Sequence, residues 1–379
     1  MGVALQRLNV LVVNAGSSSL KLVLLDADET VLAERELHLA GTRIDDDALR
    51  GALDAGLGEA DAVGHRIVHG GVRFRGPVRI DVDVEAALRE LTDLAPLHQP
   101  KSLAALDAVG AALPELPAVA CFDTAFHATL PEAAATYALP ADWRERWNLR
   151  RYGFHGLSHA WVARRAPQLL GRDPADLRII SCHLGAGASL CAIAGGESRD
   201  TTMGFTPLEG LVMATRSGSV DPGLLLWLLE HEDLSAMQLA DALEHRSGLF
   251  GLAGSADMRE IVARASARDG SRSAQAARLA LAVYAHRLRA GIAAMTASLG
   301  GLDALVFTGG VGEGSATVRR LAVDGLGFLG VALDQGRNTA EVVAPDTDIS
   351  ATDAPVPTLV IAAREDLEIA RQVRTALAG

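Results

Sequence analysis

Three glycine-rich turns and a handful of embedded cations carry most of the chemistry this 379-residue sequence could do. The first turn is Gly16-Ser-Ser-Ser19, followed by Lys21. Its backbone N–H groups and the Ser17 and Ser19 hydroxyls could cradle a phosphate, with Lys21 adding a charge. The spacing is not that of a P-loop, and a strand follows where a helix should. A solvated hairpin turn is the competing reading. The second turn, Gly185-Ala-Gly-Ala-Ser189, follows His183 and Leu184 and is small enough for backbone to approach a ligand closely. Gly309-Gly-Val-Gly-Glu313 offers a third approach after a strand. Three such turns at strand ends fit one nucleotide, its base and phosphates spread across a cleft.

The cations sit where charge costs energy. Gly64-His-Arg-Ile-Val-His-Gly-Gly71 embeds His65, Arg66 and His69 in an apolar, glycine-bounded strand. His155 lies between glycines in Arg150-Arg-Tyr-Gly-Phe-His-Gly156, and Arg216 is enclosed in Met213-Ala-Thr-Arg-Ser-Gly218. One such arginine commonly marks a structural ion pair. Two of them, with a histidine and glycine turns, point to an anion site. Phosphoryl transfer asks for this equipment: cations against the equatorial oxygens and little covalent work for the protein. Asp123, at the end of the strand Val119–Phe122, could hold Mg²⁺ through water or could cap the segment that follows. Glu365 is open to the same two readings, as an outer metal ligand or as first-turn acid on a helix. His38, His231, His245 and His286 lack metal-ligand spacing, and HExxH, paired CxxC and GxSxG are absent. That argues against zinc hydrolysis and serine-esterase chemistry.

Alternating strands and helices must position these groups. Leu8–Val13 and Leu20–Leu25 flank the first turn as two strands, and Arg178–Cys182 with Leu190–Ile193 flank the second. Ser19-Leu20 and Ser189-Leu190 fall in matching places, which suggests a duplicated domain. Residues 83–94, 101–112, 273–299 and 365–378 read as helices, and Val119–Phe122 and Asp303–Phe307 as buried strands. The alternation indicates an α/β fold. A chain of this length exceeds one comfortable core, so two domains are expected.

Composition narrows the function classes. Hydrophobic residues make up 49% and charged residues 22%, as in a packed globular enzyme. The formal charge of −12 argues against nucleic-acid binding, which rewards lysine and arginine clusters. Cys121, Cys182 and Cys191 sit in apolar runs and read as buried free thiols. The apolar start of the chain is too short for a signal peptide, and no stretch approaches the ~20 residues of a membrane span. A cytoplasmic location is the expectation.

Together these segments resemble the acetate kinase family of the actin- and hexokinase-like superfamily, over nearly the whole chain. The most specific strings are Arg151-Tyr-Gly-Phe-His-Gly156 and Met203-Gly-Phe-Thr-Pro-Leu-Glu-Gly210. The resemblance implies two duplicated actin-like (ribonuclease H-like) α/β domains flanking a central nucleotide cleft. The division would fall at 1–124 and 125–366, with a helix over 367–379 returning to the first domain. It implies reversible in-line transfer between ATP and acetate, giving ADP and acetyl phosphate, with Mg²⁺ (or Mn²⁺ in its place) and a homodimer. By resemblance, Arg66 and Arg216 would grip substrate and transition-state charge, and His155 would stabilise the transferring phosphoryl. Asn14, Asp123 and Glu365 would organise the metal. Ser17, Ser19, Lys21, His183, Leu184, Gly185 and Gly187 would line the phosphate end. Val68, Leu97, Phe154 and Pro207 would receive the acyl methyl, and Asp257, Met258, Arg259, Gly309, Gly310, Val311 and Gly312 the adenosine.

Elementary chemistry agrees with one part of that picture. A carboxylate nucleophile is already ionised at pH 7, because carboxyl pKa values lie near ~4, so no general base is needed. Three positions depart from the family pattern, each standing where asparagine is usual: Ala186 in the second turn, Gly314 beside the third, and Gln99 in Leu97-His-Gln-Pro100. The first two lie in the nucleotide region. They bear on the phosphoryl donor. A propionate or butyrate kinase of the same superfamily, and a non-catalytic nucleotide-binding homologue, are the rival readings.

Overall fold

The structure is a computed structural model that describes residues 7–16, 19–38, 44–95, 99–339 and 346–378. Ser17 and Leu97 lie outside the described residues. Two compact units make up the chain. The first comprises Met1–Ala128, Phe154–Trp161 and Arg364–Gly379; the second comprises Thr129–Gly153 and Val162–Ala363.

The first unit is built on β1 (Val10–Ala15), β2 (Ser19–Leu25), β3 (Val31–His38), β4 (Ala62–Ile67), β5 (Val78–Arg79) and β6 (Ala118–Phe122), in the order β3-β2-β1-β4-β6-β5. β1 runs antiparallel to β2 and parallel to β4, β4 runs parallel to β6, and β5 closes the sheet antiparallel to β6. The unbroken apolar run Val10–Val13 is buried because a central strand is covered on both faces. β3 instead carries Glu34, Arg35 and Glu36, charges that discourage pairing with another sheet edge.

The second unit repeats this plan. Its strands are β7 (Arg178–Leu184), β8 (Ala188–Ala194), β9 (Glu197–Thr201), β10 (Ala304–Thr308), β11 (Thr347–Asp348) and β12 (Thr358–Val360). They lie in the order β9-β8-β7-β10-β12-β11 with the same pattern of parallel and antiparallel neighbours. The matching turns sit between β1 and β2 and between β7 and β8. Each unit is therefore an α/β fold around a mixed six-stranded sheet, and the two are alike.

The helices that bear on function are α1 (Gln99–Ala112), α2 (Gly156–Leu170), α3 (Pro222–His231), α4 (Met258–Ser266), α5 (Arg272–Leu299), α6 (Gly309–Gly314), α7 (Ala316–Val323) and α8 (Glu365–Ala378). α8 packs on β1, β4 and β6 through Ile369, Ala370 and Val373. α5 buries Ala277, Leu281, Tyr284, Leu288, Ile292 and Met295, three or four residues apart, as one inward stripe. Ser271 caps its start, accepting from the Ala274 N–H, and left-handed Gly300 ends it. Among the described residues no helix is long and apolar enough to cross a membrane.

Candidate active site

In the first unit, parallel strands bring an arginine and an aspartate side by side. β4 and β6 pair Arg66 with Cys121, and the Asp123 N–H donates to the Ile67 carbonyl just beyond the sheet. Arg66 Nε lies 3.2 Å from both Asp123 carboxylate oxygens, and Nη2 lies 2.7 Å from Oδ2. Arg66 Nη1 donates to Asn14 Oδ1 at 3.1 Å, and Asn14 Nδ2 donates to Glu365 Oε2 at 3.3 Å. Four residues from β1, β4, the end of β6 and the start of α8 thus form one hydrogen-bonded chain. Burial opposes the Arg66 charge, but Asp123 and Glu365 outweigh it and hold the guanidinium above its usual pKa.

His155 is set beside this chain by an unusual backbone. Its φ is +56°, the left-handed region that a non-glycine residue seldom adopts. The next residue begins α2, and the Gly156 N–H donates to the Asp123 carbonyl at 2.9 Å. Any Cβ at position 156 would fall onto that carbonyl oxygen, so only glycine lets α2 start there. His127 Nε2 lies 3.0 Å from the Phe154 carbonyl, and the His69 ring meets the Phe154 ring edge-on. Val68 and Phe154 are buried. Gln99, on α1, bonds both the N–H and the carbonyl of His69. Burial lowers the pKa of His65 and of His69 to about 4, so both are neutral near pH 7.

In the second unit, Arg216 donates from Nη1 to the Pro207 carbonyl at 3.0 Å and pairs through Nε with Glu244 at 3.3 Å. Burial pushes its pKa down, against the pull of Glu244. Among the described residues nothing bonds its Nη2. Pro207 belongs to a loop tied down by Tyr137 and Arg151. The Tyr137 hydroxyl donates to Glu209 Oε2 at 2.6 Å, and Arg151 Nη2 pairs with Glu209 Oε1 at 2.7 Å while Nη1 donates to the Thr202 and Met203 carbonyls.

The same unit holds a cavity of about 720 Å³. Gly185 and Ala186 from the second turn, Asp257, Met258 and Arg259 at the start of α4, and Gly310, Val311 and Gly314 of α6 all line it. Asp257 caps α4 by accepting from the Arg259 N–H and also holds the Arg259 guanidinium. Gly309 approaches the Leu184 carbonyl with φ +78°, a place a side chain could not share. Glu313 Oε1 accepts from the Gly309 and Ala363 N–H groups. Arg319, wholly buried on α7, donates to the Gly312 and Glu313 carbonyls and to Asn338, next to the cavity-lining Thr339.

The profile of the acetokinase family matches residues 37–371. An acetate kinase of Nostoc punctiforme is 52% identical over 83% of this chain and 76% of its own. The chain belongs to the acetokinase family. It is a kinase whose phosphoryl acceptor is acetate. The crystal structure of Porphyromonas gingivalis acetate kinase covers 97% of this chain and 99% of its own, with 38% identity and a TM-score of 0.89. A propionate kinase from Francisella tularensis covers 96% and 98%, with 35% identity and a TM-score of 0.86.

Within this acetokinase, the residues singled out from sequence fall into two groups. Asn14, Arg66, Val68, Asp123, Phe154, His155 and Glu365 gather in the first unit. Pro207, Arg216, His183 and the nucleotide candidates belong to the second. Of the latter, His183, Leu184, Gly187, Gly309 and Gly312 are not among the cavity-lining residues. Ser19 begins β2. Lys21, expected beside phosphate, pairs with Glu34 across β2 and β3 at 2.9 Å with both side chains half exposed. The third glycine turn is a turn of helix, held by Glu313 and Arg319. Sequence reasoning missed Arg319, His127 and Tyr137, and noted Gln99 only as a departure from the family pattern. An arginine on an amphipathic helix normally reads as surface, and only contacts distant in sequence reveal otherwise.

Proposed function

We propose that the chain catalyses reversible, Mg²⁺-dependent phosphoryl transfer between ATP and acetate by direct in-line attack. An acetate oxygen forms the new bond to the γ-phosphorus as the bond from that phosphorus to the β–γ bridging oxygen breaks, and ADP leaves with the bridge oxygen. The Arg66–Asp123–Asn14–Glu365 chain carries the reading. Both Asp123 oxygens already accept from Arg66, so this carboxylate suits charge organisation rather than proton abstraction, and acetate has no proton to lose. Arg66 and Arg216 would offset the repulsion between acetate and the γ-phosphate, and His155 would face the transferring group.

Asn14, Asp123 and Glu365 present hard oxygen donors, the kind Mg²⁺ takes. Among the described residues no three or more His, Cys, Asp or Glu gather as a metal cage. One or two carboxylates completed by water and substrate phosphates is the usual Mg²⁺ arrangement, so the donor set fits. The bound ion would neutralise charge on the phosphates. Adenosine would occupy the cavity beside Asp257, Met258, Gly310 and Val311.

By resemblance, Val68, Leu97, Phe154 and Pro207 are the residues assigned to the acyl methyl. The propionate kinase of Francisella tularensis favours a second substrate of the same class. One methylene in an apolar pocket is worth ~1–3 kcal/mol, so propionate should be used some tenfold or more less well than acetate. A homodimer belongs to the same proposal, supported by α3, which buries none of its residues and exposes Leu224, Leu226 and Trp227. The buried free thiols of Cys121, Cys182 and Cys191 fit a reducing, cytoplasmic setting.

Trapping acetyl phosphate with hydroxylamine, in the presence of ATP, Mg²⁺ and acetate, tests the reaction. Acetyl hydroxamate should form, with kcat/KM highest for acetate across acetate, propionate and butyrate. Absence of product with ATP would refute the donor, and a butyrate preference would refute the acceptor.

A further inference from the structure

Arg216 is held at two of its three nitrogens. Nη1 donates to the Pro207 carbonyl at 3.0 Å and lies 3.6 Å from the Met213 sulfur, and Nε pairs with a Glu244 oxygen at 3.3 Å. Among the described residues Nη2 bonds to nothing, and 20% of the side chain stays exposed. A guanidinium grips an oxyanion bidentately through either its Nε/Nη2 edge or its Nη1/Nη2 edge. Glu244 takes half of the first edge and Pro207 half of the second, so Nη2 is the donor that remains. Arg66, by contrast, has all three nitrogens engaged by Asp123 and Asn14. Glu244 itself stands where an acid is unfavourable. It lies in the last turn of the helix Ala236–His245, where the macrodipole favours cations.

We propose that Glu244 is a positioning residue for Arg216, holding the guanidinium plane so that Nη2 alone is offered to the reacting anions. This rests on the reading of Arg216 as a substrate cation. The end of the Glu244 helix is a fixed base for the task, because it grips the backbone on both sides of Arg216. Thr215 Oγ1 donates to the Glu244 carbonyl at 2.8 Å, and the Ser217 N–H donates to the Leu243 carbonyl at 3.0 Å. Gly248, with φ +59°, lets the chain beyond that helix return against the Arg216 carbonyl, where a Cβ would collide. The Glu244 carboxylate also opposes the burial that disfavours the Arg216 charge. One bond from Nη2 grips ground-state acetate loosely, while its fixed direction serves the transition state. Without Glu244, the Nε/Nη2 edge is free to close bidentately on a carboxylate, which tightens the ground state and loses the alignment.

Glu244→Ala and Glu244→Gln in the full-length enzyme test the proposal, with kcat, KM for acetate and for ATP, and the thermal midpoint. Glu244→Ala should lower kcat about tenfold to a hundredfold. Acetate KM should hold or fall, and ATP KM should not change. Glu244→Gln keeps an acceptor oxygen near Nε, so it should lose less of kcat than Glu244→Ala. Equal losses would overturn the proposal, because the acceptor would then not be what orients Arg216. A merely structural role would lower the midpoint and leave kcat, measured well below that midpoint, unchanged; this too would overturn it. So would a rise in acetate KM at normal kcat, the mark of a residue that aids binding alone. Arg216→Ala separates this from the reading beneath it. In that background Glu244→Gln should cost no further kcat, since the group it positions is gone, and an additive loss would overturn the coupling. If Arg216→Ala keeps a normal kcat, Arg216 is no substrate cation and both readings fail. If Arg216→Ala collapses kcat while both Glu244 variants are silent, Arg216 stands and Glu244 alone is wrong.

Discussion

Arg66 has its Nε and both Nη atoms engaged by oxygens of Asp123 and Asn14, so the cation that would grip substrate is preorganised rather than mobile. Its partner carboxylate is almost fully enclosed, and removing that charge leaves a guanidinium without its counter-ion. Asp123→Asn should therefore cost about 3 kcal/mol in urea unfolding as well as activity; full stability in the variant would contradict the coupling. His65 makes a different prediction. Its pKa is about 4 in the fold against 6.5 when unfolded, because burial penalises the charged ring. Between those values the unfolded chain binds more protons. The stability due to neutral His65 is thus fully present above pH 6.5 and is lost as pH falls toward 4. Urea midpoints measured from pH 7 to pH 4.5 should decline, and His65→Leu should make that decline shallower. An unaltered slope would mean that His65 is not the group responsible.

At the scale of elements, the start of α2 decides how His155 is presented. The helix begins against the Asp123 carbonyl, and its first residue has no Cβ to clash there. Gly156→Ala forces strand end and helix start apart, so it should destabilise by about 1–3 kcal/mol and lower kcat more than it raises acetate KM. Denaturant unfolding and steady-state kinetics check both, and a normal kcat would show that His155 tolerates the shift. Long elements were legible from sequence because burial imposes a period: the helix expected over 273–299 is Arg272–Leu299, and the tail helix is Glu365–Ala378. The glycine run after β10 was not. Four glycines in six residues have poor helix propensity, and α6 forms because Glu313 holds its first N–H and Arg319 its last carbonyls.

At the scale of the whole molecule, the two sheets have one strand order and one pattern of direction, which a matched pair of short turns had only hinted at. α3 stands apart from this economy of burial. It carries an unbroken apolar run from Leu224 to Leu229 and hides none of its residues within the chain. A second copy covering Leu224, Leu226 and Trp227 would remove that exposure. Sedimentation velocity should find a dimer, and Trp227→Glu should shift it to monomer at micromolar concentration. A monomeric unmodified protein would sink the dimer proposal.

Sequence alone determined the reaction family, the α/β class and the identities of the cations, because long specific strings and periodic apolar runs are local properties of the chain. It could place Arg66 within a strand, Asp123 at a strand's end and Glu365 at the start of the last helix, yet it left each with a structural and a functional reading. Tertiary structure decided between partners. Arg66 meets Asp123 only because β4 and β6 are parallel neighbours, and Asn14 meets Glu365 only because α8 returns to β1 from the far end of the chain. It also brought Phe154–Trp161 into the first unit and set the second glycine turn, the start of α4 and α6 around one cavity. Such pairings depend on contacts between residues tens to hundreds of positions apart, which no local pattern encodes.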